Sequence, residues 1–474
     1  MQNSKMISLL RHFSQKELTQ LGEFIASPFF NKDEDLILLF NYIKKFGLEF
    51  TASKLDRKEL FNNKKSGLVL DEKKLSYMMS DIVKLTEQFI RYNKFNEQEI
   101  EGYCNLMSVY NSWDDDKLYE QTMRKSKVAL QNYPYRNAAF FYKEYLVESE
   151  MNVYFDRQKT RAYDESLQKA ADRLDLFYLS IKLKYSCELI NRQKLVAAEY
   201  ELRLLKEISS HLSENSYTSY PSISIYYQIL MTFLESDNAE HFKKLKTLLV
   251  AHADKFPQPE ARDMYMYAQN YCIRKINAGD MNFLTESLNL YKKAIEKEVL
   301  YEEGFLSPWS YKNIVVVALR AGDTAYAEQF IKLYNNAINP KFRNNAHNYN
   351  LAYLQFYKGK HGEALELLNK VEFTDIFYAL DSRSLQIKIY YELNELMPLQ
   401  SALESFRVYL RRNKTLSENM KTTYSNLVKF IDKLGRMQKG ENAKLEKLMD
   451  KIDETKQIAD IRWLKTKVGD KMKG

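Results

Sequence analysis

One spacing constrains this chain more than any other feature of its sequence. Gly322 and Gly359 lie 37 residues apart, and Ala327 and Ala364 repeat that interval. Glycine ends a helix readily because it tolerates the left-handed conformation, and a small alanine lets the following helix approach its neighbour closely. The spacing therefore predicts consecutive pairs of antiparallel helices, which must stack because one pair cannot bury both of its faces alone.

Further copies extend the pattern on both sides. Gly279 begins an earlier unit, and a later unit near Asn394 lacks the glycine. The pattern resembles the tetratricopeptide repeat (TPR), whose usual period is about 34 residues. Leu351-Ala352 fit the first helix of that motif, whereas Val315 departs from it.

The resemblance covers residues 100–412 and is closest over 275–412. It implies an all-α fold, with an α-solenoid of antiparallel helix pairs wound as a right-handed superhelix; an irregular helical bundle is the alternative. We expect an N-terminal helical subdomain (1–98), the repeat solenoid (99–412) and C-terminal capping helices with a basic mixed-charge tail (413–474).

The composition agrees with long helices joined by short turns. At 474 residues the chain exceeds the length of about 250–300 residues at which one core stops growing, so it has several domains or grows by stacking. Its 13 Gly and 8 Pro are too few for many tight turns or hairpins. The abundance of Lys, Asn, Tyr, Phe and Ile is typical of an AT-rich genome and indicates a bacterial source.

Helix signals begin at the N-terminus. Ser14 with Glu17, and Asn31 with Glu34, have the spacing of capping boxes, in which a side chain and a backbone amide satisfy each other. Apolar stripes at helical spacing then recur along the chain, and no segment alternates long enough to predict a strand. Further stripes include those near 102–111, 116–131, 137–156, 160–171 and 174–190.

Residues 53–95 read as a helix, a turn and a longer helix, which faintly resembles a helix-turn-helix DNA reader. In that interpretation Lys64, Lys65, Lys73 and Lys74 would face phosphates. The alternative function is therefore a DNA-linked regulatory protein with the repeats as its sensor. Amphipathic helix pairs also produce such patterns by chance, so nucleic acid is the less favoured partner.

The sequence favours a cytoplasmic location. No stretch approaches the roughly 18 apolar residues that span a bilayer, and the N-terminus lacks a signal-peptide core. The spacing of Cys104, Cys187 and Cys272 predicts neither a metal pair nor a disulfide framework, which fits a reduced compartment. Of the net charge of +8, residues 433–474 carry 12 Lys/Arg against 7 Asp/Glu.

No catalytic constellation is visible. None of the six His pairs with another His or a Cys at metal-ligand spacing, and phosphate-binding glycine loops and nucleophile-elbow motifs are missing. Asp114, Asp115 and Asp116 are interpreted as a helix cap rather than a cation site. We therefore predict no catalytic residues, no cofactor, no metal and no enzymatic activity.

The predicted function is a non-enzymatic protein–protein interaction scaffold or adaptor. In proteins that resemble TPR solenoids, the first helix of each pair lines a concave groove that accepts an extended or helical segment. Here those helices carry polar and aromatic side chains that suit peptide recognition or, alternatively, helix packing. The candidate groove residues are Lys312, Asn313, Tyr349, Tyr353 and Phe356.

Overall fold

The computed structural model describes residues 3–46, 50, 72–159, 161–195, 199–372 and 376–473. Within these ranges the chain is all-α apart from one short hairpin, which confirms the predicted fold class at that level. The residues form two compact units, Met1–Pro134 with Ala138–Tyr178, and Tyr135–Asn137 with Leu179–Gly474. The predicted three-part division uses other boundaries and stays a prediction.

The first unit buries the apolar stripes of its helices in local cores. Ile7, Leu21, Leu39 and Ile82 are fully buried in the N-terminal core. The helices of this unit are α1 (Lys5–Leu10), α2 (Gln15–Ala26), α3 (Glu34–Lys44), α4 (Glu72–Asn96), α5 (Glu99–Ser112), α6 (Asp116–Asn132) and α7 (Ala138–Arg157).

The two predicted capping boxes have different outcomes. Ser14 caps α2 and exchanges hydrogen bonds with Glu17, which confirms the first box. The second box is wrong, because α3 is capped by Asp33 instead. The Asn31 side chain instead hydrogen-bonds backbone groups of Ile25 and Asp33, so it does not form a capping box with Glu34.

Helix α8 (Glu165–Leu195) is one continuous helix of 31 residues where two stripes predicted two helices. Polar residues between the stripes do not interrupt it, because only Gly and Pro strongly disfavour a helix interior. The short antiparallel hairpin of β1 (Tyr301–Glu302) and β2 (Phe305–Leu306) escaped prediction. Two-residue strands are too short to show alternation.

The second unit continues the helical pattern to the C-terminus. Its apolar stripes bury residues such as Ile229, Tyr265 and Phe406. Its helices are α9 (Leu205–Glu214), α10 (Pro221–Leu234), α11 (Ala239–His252), α12 (Gln258–Asn277), α13 (Asn282–Glu296), α14 (Pro308–Arg320), α15 (Thr324–Tyr334), α16 (Pro340–Tyr357), α17 (His361–Leu368), α18 (Ile376–Glu392), α19 (Leu396–Arg412), α20 (Glu418–Arg436), α21 (Asn442–Glu454) and α22 (Ile461–Met472).

The glycines that defined the repeat lie at helix ends in the left-handed conformation. Gly279, Gly322 and Gly359 have φ of +102°, +85° and +75°, and Asn394 takes φ of +57° at the equivalent place in the unit without glycine. At each, the next amide donates to the carbonyl five positions back, with N···O of 2.9–3.0 Å. This is the Schellman arrangement, which satisfies carbonyls that a helix end leaves open.

Helices in this region contact both their neighbours and the next helix but one. α14 contacts α15 and α16, α16 contacts α17 and α18, and α18 contacts α19 and α20. Ala327 on α15 and Ala364 on α17 are fully buried, as their small size predicts for a close helix approach. We call α14, α16, α18 and α20 the first-helix layer.

Replacing Gly359 with valine should lower the free energy of unfolding by about 1–2 kcal/mol, because a β-branched residue resists the left-handed conformation. A Cβ atom there would meet no atom within 4 Å, so the cost is in the backbone. Gly359→Asn should cost less, since Asn394 already adopts this conformation. Urea denaturation followed by circular dichroism measures both; equal losses would contradict the assigned role.

Candidate functional site

The structure brings four of the five predicted groove residues together in the first-helix layer, and it buries them. Lys312, Tyr349, Tyr353 and Phe356 are each less than one-tenth exposed. Asn313 is exposed. Their contact with a partner stays a prediction, and burial favours a packing role for the four.

Lys312 lies at the centre of a charged and aromatic cluster. Its ammonium pairs with the carboxylate of Asp381 on α18. It also lies 4.7 Å from the ring centroid of Trp309 and 5.4 Å from that of Tyr378, where the ring faces attract a cation. The other oxygen of Asp381 accepts from the Tyr424 hydroxyl at 3.0 Å, which links α14, α18 and α20.

A second buried lysine, Lys388, was missed by sequence analysis. Its side chain is only 3% exposed, and its Nζ lies 2.6 Å from the carboxylate of Asp460. The rings of Phe356 and Tyr353 lie below it, at 5.4 and 5.8 Å from Nζ to the centroids. Its position between the buried Ile387 and Ile389 was the available signal, because a lysine amid buried aliphatics needs an internal partner.

Aromatic rings connect the two lysines along α16. The Tyr349 ring meets that of Tyr378 edge to face at a centroid distance of 5.2 Å. Tyr349 and Tyr353 follow at 6.1 Å, and Tyr353 and Tyr357 at 5.3 Å. Burial raises the pKa of Tyr349 and Tyr353, so both stay neutral phenols at neutral pH. The row is therefore a neutral series of aromatic rings, with the Lys312 ammonium near one part of it and the Lys388 ammonium near another.

Asp460 belongs to a loop that lies against this layer. We call residues 455–460, between α21 and α22, the tail loop. The backbone amide of Ala459 donates to the carbonyl of Thr423 at 3.3 Å, and the Asn426 side chain donates to the carbonyl of Gln457 at 2.8 Å. The tail loop thus contacts α20 through its backbone and α18 through its acidic side chain.

The Asp460 carboxylate is held in a cationic environment. Desolvation raises its pKa, but the Lys388 ammonium, the Arg320 charge and the Ser384 hydroxyl together lower it below the usual value. The Ser384 hydroxyl donates to it at 3.3 Å. Asp460 is therefore ionised at neutral pH, and it neutralises a lysine that otherwise lies in the protein interior.

The described residues offer little for covalent or metal chemistry. Among them, no group of three His, Cys, Asp or Glu is placed to hold a metal ion. Burial raises the pKa of Cys104 and Cys272 to about 12, and that of Cys187 also rises, so none of these thiols is a ready nucleophile at neutral pH. The first-helix layer instead holds charged and aromatic side chains of the chain itself against one another.

The acidic run before α6 is a structural cap. Asp115 accepts a hydrogen bond from the Leu118 amide at the start of α6, as the cap interpretation predicts. Asp114 and Asp116 both pair with Arg157 at the end of α7. These carboxylates are therefore engaged in joining helices of the first unit.

Residues 53–71, the first part of the segment 53–95 that resembles a DNA reader, lie outside the described residues. The part that is described, α4, is a single helix, and Lys73 on it is exposed. Lys74 pairs with Asp35 of α3 at 2.5 Å. DNA binding by residues 53–95 stays a prediction.

No protein-family model, curated protein or solved structure matches this chain. Of the helices in the described ranges, none combines the length and apolar character that crossing a bilayer requires. Function is therefore inferred from the chain's own geometry.

Proposed function

We propose that this protein is a non-enzymatic, cytoplasmic scaffold that holds a segment of another protein on its first-helix layer. In this proposal the helix pairs resemble tetratricopeptide repeats and stack as an α-solenoid, whose first helices face the partner. The bacterial source indicated by the composition belongs to the same proposal.

The observation that carries the proposal is the tail loop lying across the first-helix layer. It is an irregular peptide segment, and it contacts the layer through backbone hydrogen bonds and one carboxylate. Those are the interactions by which repeat proteins hold extended segments of partners. A layer that already accommodates one such segment has the chemistry to accommodate another.

Two further features support the proposal. The contacts of α14 with α16, α16 with α18 and α18 with α20 form a continuous series, as stacked helix pairs require. Tyr357, at the end of the tyrosine row on α16, is 43% exposed, and aromatic side chains of this kind are enriched where proteins bind each other.

A position-specific crosslinking experiment tests the proposal. A photoreactive benzoylphenylalanine replaces Arg320, an exposed residue at the end of α14, in the full chain expressed in its native cell. The matched control replaces Leu333, which is 65% exposed on the second helix α15. We expect one discrete protein crosslink at position 320 and none at 333, because only α14 belongs to the layer. Equal labelling at both positions, or none at 320, would reject the scaffold function.

A further inference from the structure

We propose that the tail loop is a built-in ligand of the first-helix layer, and that the partner is an acidic protein segment whose carboxylate replaces Asp460 on Lys388. This inference rests on the proposed scaffold function and specifies its partner and its regulation.

The buried ammonium of Lys388 requires a negatively charged group beside it. Its side chain is 3% exposed, and its ammonium has the carboxylate of Asp460 as its ion-pair partner. A buried ammonium without a counter-charge is strongly disfavoured. Any state in which Asp460 leaves must therefore bring another negative group to the same place.

The Asp460 carboxylate is able to leave the Lys388 ammonium. Its side chain is 38% exposed, so solvent and competing groups reach it from outside, in contrast to Lys388 beneath it. Its backbone takes φ of +49°, a left-handed conformation that non-glycine residues adopt at a cost. It stands at the N-cap position of α22, and its side chain makes no capping hydrogen bond there. The carboxylate is thus directed to Lys388 at the expense of local backbone geometry.

The helices on either side of the tail loop are held in place by their own buried residues. α21 and α22 are fixed by their own fully buried residues, among them Leu445, Ile452, Leu464 and Val468. The loop makes few hydrogen bonds to α18 and α20, and its Ile458 and Ala459 are only partly buried against the same core. The Asp460 carboxylate can therefore leave Lys388 while both helices stay in the core.

The contacts of the tail loop with the layer indicate what kind of partner segment could replace it. The layer binds the tail loop through backbone groups, with Thr423 accepting from one amide and Asn426 donating to one carbonyl. An extended peptide presents the same backbone groups, and an Asp or Glu side chain supplies the carboxylate.

The experiment measures whether the tail loop's own sequence binds in trans. The probe is a fluorescein-labelled peptide of residues 453–462, DETKQIADIR, and the readout is fluorescence anisotropy. The full chain is used as wild type, as Asp460→Ala and as the control Asp450→Ala, which removes the same charge from an exposed position on α21. A site filled by its own loop about nine-tenths of the time lowers the apparent affinity about tenfold.

We therefore expect Asp460→Ala to bind the peptide about tenfold more tightly than wild type or Asp450→Ala. A peptide with Asn in place of Asp460 should bind Asp460→Ala no better than it binds wild type. Adding Lys388→Met to Asp460→Ala should abolish binding, because the buried cation is gone. Circular dichroism, with hydrogen exchange of α21 and α22, verifies that each variant is folded.

Equal binding by wild type and Asp460→Ala, or equal binding of the Asp and Asn peptides, would overturn the inference. The crosslinking at position 320, repeated in Asp460→Ala, separates this failure from that of the scaffold function. If both chains capture the partner equally, the scaffold function is kept and the proposal of a built-in ligand is rejected. If the peptide binds as expected but no protein is crosslinked, the built-in ligand is kept and the scaffold function is rejected.

Discussion

Replacing Asp381 with alanine should destabilise the second unit by about 3 kcal/mol, because it leaves the Lys312 ammonium in the interior without its counter-charge. Lys312 is 8% exposed on its side chain, whereas Asp381 is 29% exposed. We expect the lower end of the range for buried pairs, since water that reaches position 381 relieves part of the penalty. The lost hydrogen bond from Tyr424 acts in the same direction.

The matched variant Lys312→Met should change stability by no more than about 1 kcal/mol, because an apolar side chain of similar length needs no anion. It would still lie against the rings of Trp309 and Tyr378. The double variant Lys312→Met with Asp381→Ala should be clearly more stable than Asp381→Ala alone. That recovery would show that the unpaired charge, and not lost packing, causes the defect.

The chain has two compact units, so the free-energy changes given for variants at Gly359, Asp381 and Phe330 refer to the unfolding transition of the second unit. Hydrogen exchange of peptides from α14 and α18, read by mass spectrometry, reports stability where the pair is located. Asp381→Ala should accelerate exchange there and leave α1 to α3 unchanged. Unchanged exchange in α14, or no recovery in the double variant, would contradict the assigned role of the pair.

Replacing Phe330 with alanine should cost about 3–5 kcal/mol, the usual loss for removing a large aromatic ring from a core. The ring is 1% exposed on α15, the second helix of the repeat that contains Gly322. It lies between the rings of Tyr311 and Tyr334, at centroid distances of 5.5 and 4.6 Å. Its loss leaves a cavity on the seam between α14 and α15.

The control for this prediction lies three residues further along the same helix. Leu333 is 65% exposed, so Leu333→Ala should change stability by about 0.5 kcal/mol or less. Both variants are compared by the urea midpoint and by hydrogen exchange of α15. Similar losses for the two substitutions would mean that the seam does not depend on the Phe330 ring.

The fold class and many helix ends were predictable because they depend on nearby residues. The capping box of Ser14 involves residues three apart, and the ends at Gly322 and Gly359 involve a backbone conformation that glycine favours. The failures were local as well. Asp33 competed with Asn31 for the same cap, and nothing between the two stripes of α8 was strong enough to end a helix.

The candidate site was predictable only in part. Helical spacing placed Lys312, Tyr349 and Tyr353 on one surface of the first helices, and the structure brings them together there. Their burial could not be read from the sequence, because tyrosine and lysine at such positions serve packing and binding alike. Lys388 was overlooked for a related reason: its need for a partner was visible, but the partner was not.

What the sequence by itself determined is the local part of this protein: helices without long strands, the left-handed ends at the repeat glycines, and the small alanines where helices meet. What only the tertiary structure decided is the pairing of charges across the repeats. Asp381 lies 69 residues from Lys312, and Asp460 lies 72 residues from Lys388. Such pairs depend on how helices stack, and stacking positions a side chain by the accumulated geometry of every helix in between.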